Sequence, residues 1–190
     1  MDGGEDETDD TPVAAASPTS SPAGGEQPPK EEKDDKEAVK TQAVALDQLL
    51  ADSGDSRSAV VGAVEDVRKC VKLDAAAQAL RGAAQQRADL VTRLNELEVD
   101  RLPHHAELTA ALTKAWQASK SADEHYAAWA DQVAADRGKL CKRGQARHTA
   151  ETRAATEQSG TATTEKQKAS ELWNPIAKEW KLTERPPLQL

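Results

Sequence analysis

The chain contains two cysteines, each set among bases: Cys70 in "RKCVK" (Arg68 to Lys72) and Cys141 in "KLCKR" (Lys139 to Arg143). Neighbouring cations favour the thiolate, so three chemistries are open: a reactive thiol, a metal ligand or a disulfide. Zinc needs four ligands at regular spacing, and the nearest histidine in sequence is the single His148, so no metal site is expected. A catalytic thiolate needs a base and an orienting partner, and no such set accompanies either cysteine. A disulfide or two free cysteines remain, and the arrangement of the surrounding elements must decide between them.

The bases suggest a second site. Arg68, Lys69 and Lys72 on one side, with Lys139, Lys142, Arg143 and Arg147 on the other, form a candidate anion-binding patch if the two segments meet. A simpler role competes, because bases at helix C-termini complement the macrodipole. That covers the first three but not Arg147, which lies at a helix N-terminus. "DEHYAAWADQ" brings His125, Tyr126 and Trp129 together as a candidate ligand pocket between helices, although Tyr and Trp three apart on a helix serve equally as core. The adjacent His104 and His105 point in different directions on a helix and do not form a zinc-protease pattern.

No phosphate-cradling glycine loop, nucleophile elbow or Cys-His-Asn order is present, nor the Glu-x-x-His repeats of di-metal bundles. The chain therefore reads as non-enzymatic, with no cofactor.

These residues must be positioned by helices. From about residue 38, helical periodicity dominates, with abundant Ala, Leu, Gln, Glu, Lys and Arg. In the first segment Leu46, Leu50, Ser53, Arg57, Val60, Val64, Val67 and Val71 follow a three-and-four step. The reading favoured here is one continuous helix through Gly54, with Ser53 and Arg57 as a buried polar layer. A second helix starts at the capping Asp74 and carries Ala76, Leu80, Ala83, Leu90, Leu94 and Leu97, interrupted by the long Arg87. Pro103 suits the first turn of a third helix, with Leu108, Leu112, Ala115, Ala122, Tyr126, Trp129 and Val133 at heptad spacing. A fourth, from about Gln145, has an Ala and Thr face until Leu172, Trp173 and Ile176, and Pro175 should kink or restart it after Asn174. "TERPPLQL" reads as an extended terminus.

Short connections make neighbours antiparallel, which gives an all-α, up-down-up-down bundle of three to four long helices over residues 38–190. Trp116, Trp129 and Trp173 are the expected large anchors of a core otherwise rich in alanine. Cys70 ends the first helix and Cys141 follows the third, so alternation brings both to one pole. A disulfide is then geometrically allowed, and closing so long a loop would stabilise the fold by about 4 kcal/mol in the chain-entropy model.

The formal net charge of −8 belongs to the N-terminal part. Residues 1–37 hold twelve acidic residues against three lysines, a net −9 that leaves +1 for the remainder. Rich in Pro, Ser and Gly, this acidic segment reads as a disordered linker. It holds no run near the ~18 apolar residues of a membrane span, so membrane attachment would need a segment absent from this chain.

"SRSAVVGAVEDVRKC", "LVTRLNELEVDRLP", "ALTKAWQASKSADEHYAAWADQ" and "LWNPIAKEWKLTERPPLQL" together resemble membrane-anchored or exported helical-domain proteins of actinobacteria, which have no assigned activity. The resemblance, over about residues 44–190, implies an outward-facing domain with paired cysteines. The expectation is thus a non-enzymatic interaction or sensing module at the cell envelope, extracytoplasmic or membrane-anchored, on a flexible acidic stalk. Its partner would be another protein or an anionic envelope component rather than nucleic acid, since no aromatic stacking platform accompanies the bases. The alternative is an intracellular coiled-coil adaptor with reduced cysteines. An alanine-rich bundle could also close through a second copy.

Overall fold

The computed structural model describes residues 30–190, so residues 1–29 of the expected linker lie outside the described residues. The helix α1 (Lys30–Ser53) begins inside that linker. Glu31 and Glu32 in its first turn complement the macrodipole, and Asp35 pairs with Arg101 at 2.7 Å. The linker boundary at residue 37 is thereby corrected: Lys30 to Glu37 are exposed but helical.

The expected continuous first helix is also corrected, because it breaks at Gly54 to Ser56 and resumes as α2 (Arg57–Arg68). A continuous helix would commit the Ser53 carbonyl to the amide four residues on. The break frees it, and the buried Arg87 donates to it from the next helix at 3.3 Å. Ser53 is buried, as expected of a polar layer, and its hydroxyl bonds back to the Leu50 carbonyl at 2.7 Å. Arg57, expected to share that layer, begins α2 on the exposed side, and Val71 lies beyond the helix end at 43% exposure.

After a tight turn come α3 (Leu73–Glu96) and α4 (His105–Ala135), then a one-turn helix α5 (Arg137–Leu140) and a two-stranded hairpin of β1 (Cys141–Lys142) and β2 (Gln145–Ala146). Arg143 and Gly144, both at positive φ, form its two-residue turn, the geometry that matches strand twist. The hairpin occupies the stretch expected to begin the fourth helix, which starts later, as α6 (Ala150–Trp180). Thr149 and Thr152 form a reciprocal capping box at its start. Lys72, not Asp74, occupies the N-cap position of α3, with no side-chain cap bond, and Pro103 lies ahead of α4, in the turn that His104 closes at φ 52°.

The helix α4 is the spine, with α3 along one side and α6 along the other. Pairings such as Arg81 with Asp131 and His125 with Glu151 show that consecutive long helices run antiparallel. Two apolar clusters stack along the axis. One joins Leu46, Leu50, Leu94, Leu112, Trp116 and Trp173, and the other joins Val67, Leu73, Leu80, Trp129 and Val133. All three predicted tryptophan anchors are buried. Ala155, Ala162 and Ala169, seven apart and buried, give α6 a seam small enough for close approach to α4.

Pro175 neither ends nor restarts α6. The C-terminal segment, expected to be extended, instead folds back over the helices. Asn174 bonds both the amide (2.8 Å) and the carbonyl (3.3 Å) of Arg185. Ser170 donates to the same carbonyl at 2.7 Å, and Trp173 donates to the Thr183 carbonyl at 3.0 Å. Arg185 itself reaches the side chain of Asp47 on α1 at 2.8 Å, and Leu190 is buried in the first cluster. Among the described residues no helix is long and apolar enough to cross a membrane.

Cys70 and Cys141 form a disulfide across 71 residues of sequence, with Cα atoms 6.1 Å apart. Replacing both cysteines by serine should lower the unfolding free energy by about 4 kcal/mol, read from urea denaturation. Arg185→Ala should cost about 2 kcal/mol in the same measurement, through the lost charge-assisted bonds to Asp47.

Candidate functional site

The stapled pole gathers the predicted patch. Cys70 adopts the left-handed conformation (φ 56°) at the end of α2. Its amide bonds the Val67 carbonyl and the Val71 amide bonds that of Asp66, both at 2.9 Å, which is a Schellman motif with cysteine where glycine is usual. Arg137, from α5, donates to the Cys70 carbonyl at 2.9 Å.

Of the patch residues, Arg68 and Lys69 share Glu65 (3.9 and 3.0 Å), Lys72 faces Asp66 (3.8 Å) and Lys139 faces Asp136 (3.2 Å). These charges are locally matched and exposed, so each pair contributes little. Lys142 caps the Gly138 carbonyl. Lys142 and Arg143 on the hairpin and Arg147 just past it therefore form no ion pair among the described residues, and of the patch they alone face solvent unmatched.

Of the predicted trio on α4, Tyr126 and Trp129 stay together, their ring centroids 6.4 Å apart, while His125 turns away. His125 Nδ1 lies 2.6 Å from Glu151 Oε2, on the first turn of α6. Trp129 is a core anchor whose indole N–H donates to the Arg147 carbonyl at 2.8 Å, with the His148 ring nearly parallel to it. Tyr126 alone turns toward a cavity, and it is a different one from that expected. The correction follows from the helical repeat, since His125 and Tyr126 are a hundred degrees apart around α4.

That cavity lies midway along the bundle, between the two apolar clusters. With a volume of about 150 Å³, it is walled by α2, α3, α4, α6 and the folded-back C-terminus. Its charged residues are Arg57, Arg87 and Lys166 against the single carboxylate of Asp123. Ser119, Tyr126, Ser159 and Thr163 add hydroxyls.

No protein-family model, curated protein or solved structure matches the chain.

The cavity's floor is a buried ion pair. Arg87 Nε lies 3.7 Å from Asp123 Oδ2, with both residues about 5% exposed or less. Neither of these two atoms has a hydrogen-bond partner among the described residues. Burial raises the Asp123 pKa from 3.8 to about 6, against the opposing pull of Arg87. Burial, reinforced by Arg87 and Arg57, lowers that of Lys166 from 10.5 to about 8. Desolvation likewise lowers that of Arg87. The charged forms here are held against their solvation preference, which makes the layer a poor source of stability and a strong source of local field.

Arg87 was visible in the sequence as the one long charged residue in an apolar stripe. Asp123, Arg57 and Lys166 were missed as its neighbours. The available signal was the need of a buried guanidinium for a carboxylate at the same height. Asp123 supplies it, four residues after Ser119 on α4. Among the described residues, no three His, Cys, Asp or Glu side chains converge closely enough to hold a metal ion.

Because the folded state keeps Asp123 protonated at pH values where the unfolded chain has released that proton, its contribution to stability falls as pH rises from about 4 to 6. The fall amounts to about 2 to 3 kcal/mol and levels off above pH 6. The double replacement of Arg87→Met with Asp123→Leu should abolish this fall and leave stability at pH 7 unchanged or raised, by up to about 4 kcal/mol. Urea denaturation of both proteins at pH 4 and pH 7 measures this.

Proposed function

We propose that this chain works by binding rather than by catalysis, as an interaction or sensing module of an extracytoplasmic compartment at the cell envelope. The observation that supports it most is the Cys70–Cys141 disulfide. Such bonds persist in oxidising compartments and are rare where glutathione and thioredoxin keep thiols reduced. Cys70, at 2% exposure, is also well protected from exchange once paired.

The arrangement of charge accords with binding. The stapled pole presents Lys142 and Arg143 on a hairpin anchored by the disulfide, with Arg147 just past it, a surface suited to a protein or an anionic envelope component. The mid-bundle cavity, a polar space between two apolar cores, is the second place where a ligand could act.

The test is the redox state of the protein taken directly from the cells that make it. Alkylation under denaturing, non-reducing conditions, followed by mass spectrometry, should leave both cysteines unmodified and yield a crosslinked peptide containing residues 70 and 141. Added protease should also digest the protein on intact cells. Two alkylated thiols together with protection from protease would instead assign the chain to an intracellular adaptor.

A further inference from the structure

We propose that the mid-bundle cavity binds a small organic carboxylate with a short apolar body, its carboxylate held by Arg57 and Lys166 and its apolar part by the cavity's rim. This deepens the reading of the chain as a binding module by naming a ligand class. It is tested separately, because it does not depend on the compartment or on the state of the cysteines.

Charge points to an anion. The lining holds three cations and one carboxylate, and Asp123 is already committed to Arg87. Arg57 on α2 and Lys166 on α6 form no ion pair among the described residues, yet both border the cavity. Arg57 from α2 and Lys166 from α6 offer a carboxylate several N–H donors, and Ser159 and Thr163 of α6 can add hydroxyl donors. Arg87 and Asp123 face each other beneath the cavity and are closed off from it at Nε and Oδ2, so the cations left to meet a ligand are Arg57 and Lys166.

The rim points to an apolar body. Val61 and Leu188 are each 58% exposed, and both border this cavity. Val60, Ala122, Ala162 and Pro187 extend the same surface inward. Isolated exposed apolar side chains are ordinary, but two on different elements facing one polar cavity make a small amphipathic receptacle. Its volume of about 150 Å³ suits a small ligand rather than a polypeptide segment.

The two features together exclude simpler ligands. Inorganic phosphate would satisfy the cations and leave the rim unused. A neutral alcohol of the same length would cover the rim and leave Arg57 and Lys166 unmatched.

Isothermal titration calorimetry of the full chain with hexanoate, hexan-1-ol and inorganic phosphate separates these cases. Hexanoate should bind saturably with one site per chain, the alcohol should not bind measurably, and phosphate should bind at least tenfold more weakly than hexanoate. Arg57→Gln and Lys166→Gln should each weaken hexanoate binding roughly tenfold or more, the loss of one charge-assisted bond. Lys166→Arg should retain most of the affinity. Both residues lie outside the apolar clusters, and an unchanged circular dichroism melt confirms that each variant is folded. Leu188→Ser should weaken hexanoate and leave phosphate unaffected. The proposal is overturned if hexanoate shows no saturable binding, if it binds equally to the two glutamine variants, or if phosphate matches its affinity.

Discussion

The Arg87–Asp123 pair, enclosed at mid-height, is the constraint around which the rest of the bundle is arranged. A buried guanidinium demands acceptors, and the chain supplies them in two ways. Asp123 provides a carboxylate from α4, and the interruption between α1 and α2 provides the free Ser53 carbonyl. The break in the first helix is thus a response to a charge on the second long helix, not a weakness at a glycine. The same layer divides the interior into two apolar clusters, and the C-terminal segment folds across the break, where the Ser53 hydroxyl approaches the Gln189 carbonyl at 3.4 Å. The helix break and the cavity share this layer, and the folded-back terminus covers it.

The second organising element is the disulfide, which acts at a distance from that layer. It joins the end of α2 to the hairpin after α4 and so fixes the pole at which four helix termini meet. Cysteine at a left-handed C-cap carries a backbone cost of about 1 kcal/mol that glycine would avoid. The staple's larger contribution offsets it. The local conformation is therefore intelligible only through the long-range bond.

Much of this was legible in the residue pattern. The apolar stripes located α3 and α4, tryptophan size located the anchors, and strict alternation of helix direction brought residues 70 and 141 together. What periodicity missed depends on partners remote in sequence. The stripe from Leu46 to Val71 keeps its phase across Gly54, so the local break signal in "DSGDSR" was outweighed, and the partner that uses the interruption, Arg87, lies over thirty residues away. Pro175 reads as a helix breaker because its missing amide and ring penalise the interior of a helix. Here packing of Trp173, Ile176 and Ala177 in the first cluster carries the helix through it. "TERPPLQL" contains no apolar period, yet Arg185 and Leu190 each find a buried place prepared by other helices. His125 parts from Tyr126 and Trp129 despite being next to them in sequence, whereas Arg57, Arg87, Asp123 and Lys166 are scattered along the chain and meet.

The covalent bond lies wholly within one of the two stacked cores. The other, built on α1 and the turned-back terminus, is held by side-chain contacts alone, with Arg185 as its clasp. The molecule therefore has a locked half and a latched half, with the charged layer at the seam. Thermal breathing should begin on the latched side, swinging α1 outward about the Gly54 joint while the locked half keeps its shape. The cavity sits where such a swing would be felt first, so its occupant and the clasp would hold the same joint closed.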